Sequence, residues 1–97
     1  MRLQNQIILI TGSTTGIGAA MARLFVKEGA KVILHGRNIE RANALRDEFG
    51  PENSAFVQGD LQDPESPAQI AREALNCFGE IDCLVNNAAF TTRGHLQ

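Results

Sequence analysis

The chain contains no tryptophan and no tyrosine, and its only lysines are Lys27 and Lys31. No phenol can act as a proton donor anywhere in it. Serine is scarce as well, at Ser13, Ser54 and Ser66. Cysteine is limited to Cys77 and Cys83, whose spacing is not that of a CxxC metal or redox pair. Both cysteines are therefore expected to be reduced, buried small hydrophobes. Long apolar runs are missing too. The longest aliphatic stretch, Ile7-Ile8-Leu9-Ile10, is far short of the roughly 20 residues that span a bilayer. The opening Met1-Arg2-Leu3-Gln4-Asn5-Gln6 has no apolar signal core. A cytoplasmic location without a membrane partner is the expectation. Nine Lys and Arg against eleven Asp and Glu give a net charge of -2. The basic residues do not cluster, so nucleic acid is not an expected partner.

What remains is an ordinary globular composition, 43% hydrophobic over 97 residues, enough for one domain, residues 1–97, with a thin margin. Apolar runs alternate with helical patterns. Gln6–Thr11 predicts a strand buried on both faces, because four aliphatics follow one another. After a glycine-rich turn, Ile17, Met21, Leu24 and Phe25 recur at helical spacing, and Gly29 supplies a stop. Lys31–His35 predicts a second buried strand. Asn38 can cap a second helix with an inner face of Ala42, Leu45 and Phe49, ending at Gly50-Pro51. Ser54–Gln58 predicts a third strand. Ser66 as N-cap, Pro67 at the first helical position and Gln69 in a capping box predict a third helix. Its expected apolar stripe is Ile70, Ala74, Leu75 and Phe78, with Gly79 as the stop. Ile81–Val85 predicts a fourth strand, followed by polar, loop-like sequence.

The order β-α-β-α-β-α-β demands right-handed crossovers and a parallel sheet. The expected fold is α/β: a partial Rossmann fold, a doubly wound parallel sheet of four strands and three helices, truncated after strand four.

The strongest signal is Thr11-Gly12-Ser13-Thr14-Thr15-Gly16-Ile17-Gly18, lying between a strand and a helix. Gly12 lets the chain turn out of the strand, and Gly16 lets a pyrophosphate approach the backbone. Gly18 lets the helix pack closely. The helix start offers free N–H groups and a positive dipole end to phosphates. The spacing is TGxxxGxG, not that of a P-loop, and no lysine follows the last glycine, which argues against an NTPase.

Three segments in this order, Thr11–Gly18, Gly59-Asp60-Leu61 and Val85-Asn86-Asn87-Ala88-Ala89, resemble the short-chain dehydrogenase/reductase family, in its compact single-domain branch. The resemblance covers the whole chain. It implies a nicotinamide dinucleotide cofactor, a small-molecule carbonyl or alcohol substrate, hydride transfer between the two, and a homo-oligomeric parent. It implies that Ser13, Thr14, Thr15 and Ile17 line the cofactor with the glycines. Asp60 would accept from the adenine amino group while the Leu61 backbone holds the ring. Asn86 would bridge to the glycine turn, and Ala88 would let the backbone approach the ribose. The family's usual glycine after Ala88 is replaced by Ala89.

An NAD-specific fold of this kind places an acid at the end of strand two. Here the segment is His35-Gly36-Arg37-Asn38. Gly36 stands where the acid would be, and Arg37 can bind a 2′-phosphate bidentately and stack on adenine. NADP(H) rather than NAD(H) is the expected cofactor, although the second basic residue common inside the turn is absent, Thr15 standing before Gly16. His35 and His95 have no partner acid or cysteine at useful spacing, so neither is expected to be catalytic or metal-binding.

By resemblance the parent's chemistry needs a Tyr acid/base, a Lys four residues on and a Ser. An unperturbed Tyr, with a pKa of about 10, works poorly near neutral pH without a nearby cation. None of these can be carried onto this chain, so no catalytic residue is assigned and the chain alone is expected to be inactive. Thr91–Gln97 lacks a helix stop and is expected to be a loop cut in mid-course. The alternative is a free-standing nucleotide-binding or regulatory module without catalysis.

Overall fold

A strand of four aliphatics is stable only where both its faces are covered. The computed structural model, which describes residues 3–14, 16–59 and 66–87, covers both. Its elements are β1 (Ile7–Ile10), α1 (Gly16–Lys27), β2 (Lys31–Gly36), α2 (Ile39–Phe49), β3 (Ser54–Gln58), α3 (Ser66–Phe78) and β4 (Cys83–Val85). The strands form one parallel sheet in the order β3-β2-β1-β4. This is the doubly wound α/β arrangement that the alternation of elements predicts.

Alternate residues of β1 serve the two faces. Ile8 and Ile10 join Ala19 and Ala22 of α1 with Leu45 and Phe49 of α2 in one core. Ile7 and Leu9 join Ile70 and Ala74 of α3 with Ile33 and Val57 in the other. Ile10, Val32, Ile33 and Leu34 are almost wholly removed from solvent, a burial that favours folding by about 1.5–3 kcal/mol for each side chain.

The inner face of α2 is as predicted: Ala42, Leu45 and Phe49 are its buried residues. Asn38 caps it, with Oδ1 accepting the Arg41 amide at 3.0 Å. The apolar spacing places the inner face of α1 only in part: Met21 and Phe25 pack against the core. Ile17 and Leu24 are 72% and 54% exposed, and the buried residues are Gly18, Ala19 and Ala22. Small side chains let this helix lie close to the sheet and the turn, while Ile17 and Leu24 at its margin stay outside. In α3, Ile70 and Ala74 are buried but Leu75 is exposed. Gln69 Nε2 donates to Glu73 one turn on, at 2.8 Å, a contact along the helix surface; the Ser66 side chain of the expected capping box lies outside the described residues.

Strand β4 is shorter than predicted because Asp82 takes over its start. The Asp82 carboxylate accepts the Ile7 amide, and the Asp82 amide donates to the Ile7 carbonyl, both at 2.8 Å. The burial expected of the cysteines is also corrected. Both are free thiols: Cys77, on α3, is half-buried against the second core, and Cys83 is exposed because β4 lies at the sheet margin. Leu84 is 59% exposed there.

Candidate functional site

Parallel strands bring all their C-terminal ends to one edge of the sheet. Strands β2 and β3 lie on one side of β1 and β4 on the other. The crevice where such a sheet reverses direction is where open α/β folds bind ligands. The turn from Thr11 to Thr14 sits there, joined to both neighbouring strands.

On the β4 side, the Thr11 amide donates to the Val85 carbonyl at 3.0 Å. Its hydroxyl lies 3.2 Å from Asn86 Oδ1, which accepts. Asn87 Nδ2 donates to the Gly12 carbonyl at 3.1 Å. The asparagine pair after β4 thus ties its end to the start of the turn, Asn86 through Thr11 and Asn87 through Gly12.

On the β2 side the brace is Ser13 with His35, both buried. The Ser13 amide donates to the His35 carbonyl at 2.8 Å, and the His35 amide donates to Ser13 Oγ at 2.8 Å. His35 Nδ1 accepts the Gly12 amide at 3.0 Å. Its Nε2 lies 3.1 Å from the Gly59 carbonyl, just past β3. A carbonyl can only accept, so these partners assign the neutral tautomer with its proton on Nε2. One imidazole therefore links the glycine turn to the end of β3.

The turn has an inner and an outer side. Gly12 and Gly16 have φ of 63° and 57°, left-handed values that favour glycine. Gly18 faces inward: a Cβ there would run into the Gly12 carbonyl oxygen and lie 2.7 Å from Ser13 Cα and 2.9 Å from Asn87 Nδ2. Gly16 faces outward, with nothing within 4 Å of where its Cβ would be. α1 begins at Gly16, and its first amides have no partner within the helix. An open, side-chain-free approach to a helix N-terminus fits a pyrophosphate. Ser13 has its amide and hydroxyl engaged with β2 and supports the turn from within.

At the end of β2, the Gly36 backbone is buried and Arg37 is exposed. Arg37, Asn38, Ile39, Glu40 and Gln58 line an open depression, and Gln58 Nε2 donates to the Arg37 carbonyl at 3.2 Å. A guanidinium and the Glu40 carboxylate therefore share its rim.

Of the sequence-predicted site residues, Gly12, Ser13, Thr14, Gly16, Ile17, Gly18, Arg37 and Asn86 lie at this edge of the sheet. Thr15, Asp60, Leu61 and Ala88 fall outside the described residues. Sequence reasoning missed two residues. His35 has no partner at recognisable sequence spacing, because its contacts come from other strands. Asn87 follows Asn86 in the segment after β4, and nothing in its spacing marks it as the partner of Gly12.

The short chain dehydrogenase family model matches residues 6–97 of the chain. Dehydrogenase/reductase SDR family member 7B of Rattus norvegicus is 39% identical over 103 residues, covering 98% of this chain and 32% of its own. Sorbitol dehydrogenase of Cereibacter sphaeroides is 45% identical over 89 residues, covering 92% of this chain and 34% of its own. A crystal structure of a short-chain dehydrogenase/reductase from Caenorhabditis elegans, solved with cofactor, superposes with a TM-score of 0.78 at 35% identity, covering 87% of this chain and 33% of that one. The chain spans about a third of the length of these relatives.

Proposed function

Because this chain belongs to the short-chain dehydrogenase/reductase family, we propose that it forms the cofactor seat of an oxidoreductase that prefers NADP(H). The dinucleotide, when bound, supplies or receives the hydride exchanged with a carbonyl or alcohol carbon of a small substrate. The chain's own residues bind and orient. The open face at Gly16 and the first amides of α1 take the pyrophosphate. The Arg37 guanidinium takes the 2′-phosphate and flanks the adenine. Asp60, Leu61 and Ala88 complete the adenine and ribose contacts, as the family resemblance implies. His35, Ser13, Asn86 and Asn87 hold the turn in register with β2, β3 and β4.

The observation that carries the NADP(H) preference is the end of β2: a buried glycine where an NAD-selective fold places a carboxylate, followed by an exposed arginine. A charge-assisted contact from Arg37 contributes about 1.5–3 kcal/mol, a preference of roughly 10- to 150-fold. The chain alone turns over no substrate, since it has no tyrosine to exchange the proton. Calorimetric titration of the wild type and Arg37→Asp with NADP+ and NAD+ tests the reading. NADP+ should bind more tightly to the wild type, and the variant should lose that advantage. Equal wild-type affinities would overturn the preference.

A further inference from the structure

Gly36 is explained only in part by the acid it lacks. No left-handed φ is required there, so the backbone itself tolerates a side chain. The obstacle is steric and comes from one residue. A Cβ on Gly36 would lie 2.8 Å from Thr14 Oγ1, 3.0 Å from Thr14 Cγ2 and 3.4 Å from Thr14 Cβ. The first separation is below any real Cβ contact and the second is at the limit.

Rotation of Thr14 cannot relieve the conflict. A threonine fills two of the three staggered positions on its Cβ, and both γ atoms face Gly36. Any rotamer leaves at least one of those two positions occupied. The turn residue thus takes the volume that a side chain at the end of β2 would need.

We propose that Thr14 is a selectivity residue for the dinucleotide. Its branched side chain bars a carboxylate from position 36 and so keeps the end of β2 open to a 2′-phosphate. The inference rests on the proposed cofactor role of this edge and adds a residue that acts without charge. It makes the identities at positions 14 and 36 interdependent. A switch toward NAD(H) requires removing the γ-branch in the turn as well as introducing the acid in the strand.

The test combines unfolding and binding. Gly36→Asp is made alone and together with Thr14→Ala, which removes both γ atoms, or Thr14→Val, which keeps two. Thermal unfolding is followed without ligand, and NAD+ and NADP+ are titrated by calorimetry. Gly36→Asp alone should lower Tm by about 5–15 °C, as expected for overpacking. Thr14→Ala should recover most of that loss and Thr14→Val none. NAD+ should bind the Thr14→Ala/Gly36→Asp protein at least about 10-fold more tightly than either Gly36→Asp alone or its Thr14→Val partner. If wild-type NADP+ binding is intact but the Tm shifts are additive, or Thr14→Val rescues as well as Thr14→Ala, this inference alone is overturned. If the wild type binds neither dinucleotide, the proposed function falls, and the selectivity role falls with it.

Discussion

The His35 ring nitrogen Nδ1 and the Gly12 amide nitrogen lie 3.0 Å apart, so the first glycine of the turn is held by the strand beside it. The opposite ring nitrogen reaches the Gly59 carbonyl at 3.1 Å, and the imidazole spans two strand ends from a position only 3% exposed.

His35→Ala should therefore be costly. It opens a cavity and leaves the Gly12 amide and the Gly59 carbonyl without this partner. A loss of about 2–4 kcal/mol follows, lowering Tm by roughly 10 °C or more. His35→Gln can replace only one of the two bonds and should fall between. Circular dichroism melts of the three proteins measure this, and a Tm for His35→Ala within about 2 °C of wild type would contradict the bridging role.

How far the sequence foretold these features varied with the scale of the cause. Consecutive aliphatics marked β1 and β2, and Ala42, Leu45 and Phe49 marked the buried face of α2, because burial there follows local periodicity. In α1 the same rule found Met21 and Phe25, which pack against the core, but also Ile17 and Leu24, which are exposed. Close packing against the turn is satisfied by Gly18, Ala19 and Ala22, and hydrophobic size is a poor guide to it. The glycines and Arg37 were readable from their places in a strand–turn–helix pattern. His35 and the Thr14–Gly36 contact were not, since each joins residues more than twenty positions apart that only the pairing of β1 with β2 brings together.

The outer edge of β4 should drive self-association. Among the described residues no strand pairs with that edge, and Leu84 is 59% exposed on it. Aliphatic strands with open edges recruit other strands. Size-exclusion chromatography with light scattering should find the 97-residue chain forming dimers or larger species as concentration rises. Leu84→Lys should shift it toward monomer. A wild type that stays monomeric at ~100 μM would contradict edge pairing as the route.

The two thiols should differ in reactivity. Burial pushes the Cys77 thiol above its ordinary pKa, partly offset by the Arg46 charge, and Glu73 pushes it further up. Its Sγ also donates to the Glu73 carbonyl at 3.3 Å. Cys83 is exposed. Timed alkylation with iodoacetamide near neutral pH, read by mass spectrometry, should modify Cys83 first, with Cys77 following only as the pH rises. The sign for stability is the same. A raised folded-state pKa stabilises the fold below the unfolded thiol's pKa, and that contribution is lost as pH rises through the folded value. Faster labelling of Cys77 would contradict the environment assigned to it.

The most direct test of the cofactor seat is an amide proton–nitrogen correlation spectrum of the isotope-labelled chain, recorded as NADPH is added. Saturable shifts should concentrate at Gly12, Gly16, Ile17, Gly18 and Arg37, and should disappear in Gly16→Trp, whose side chain would fill the open face of the turn. No perturbation at saturating NADPH, or shifts confined to residues away from the C-terminal ends of the strands, would contradict it.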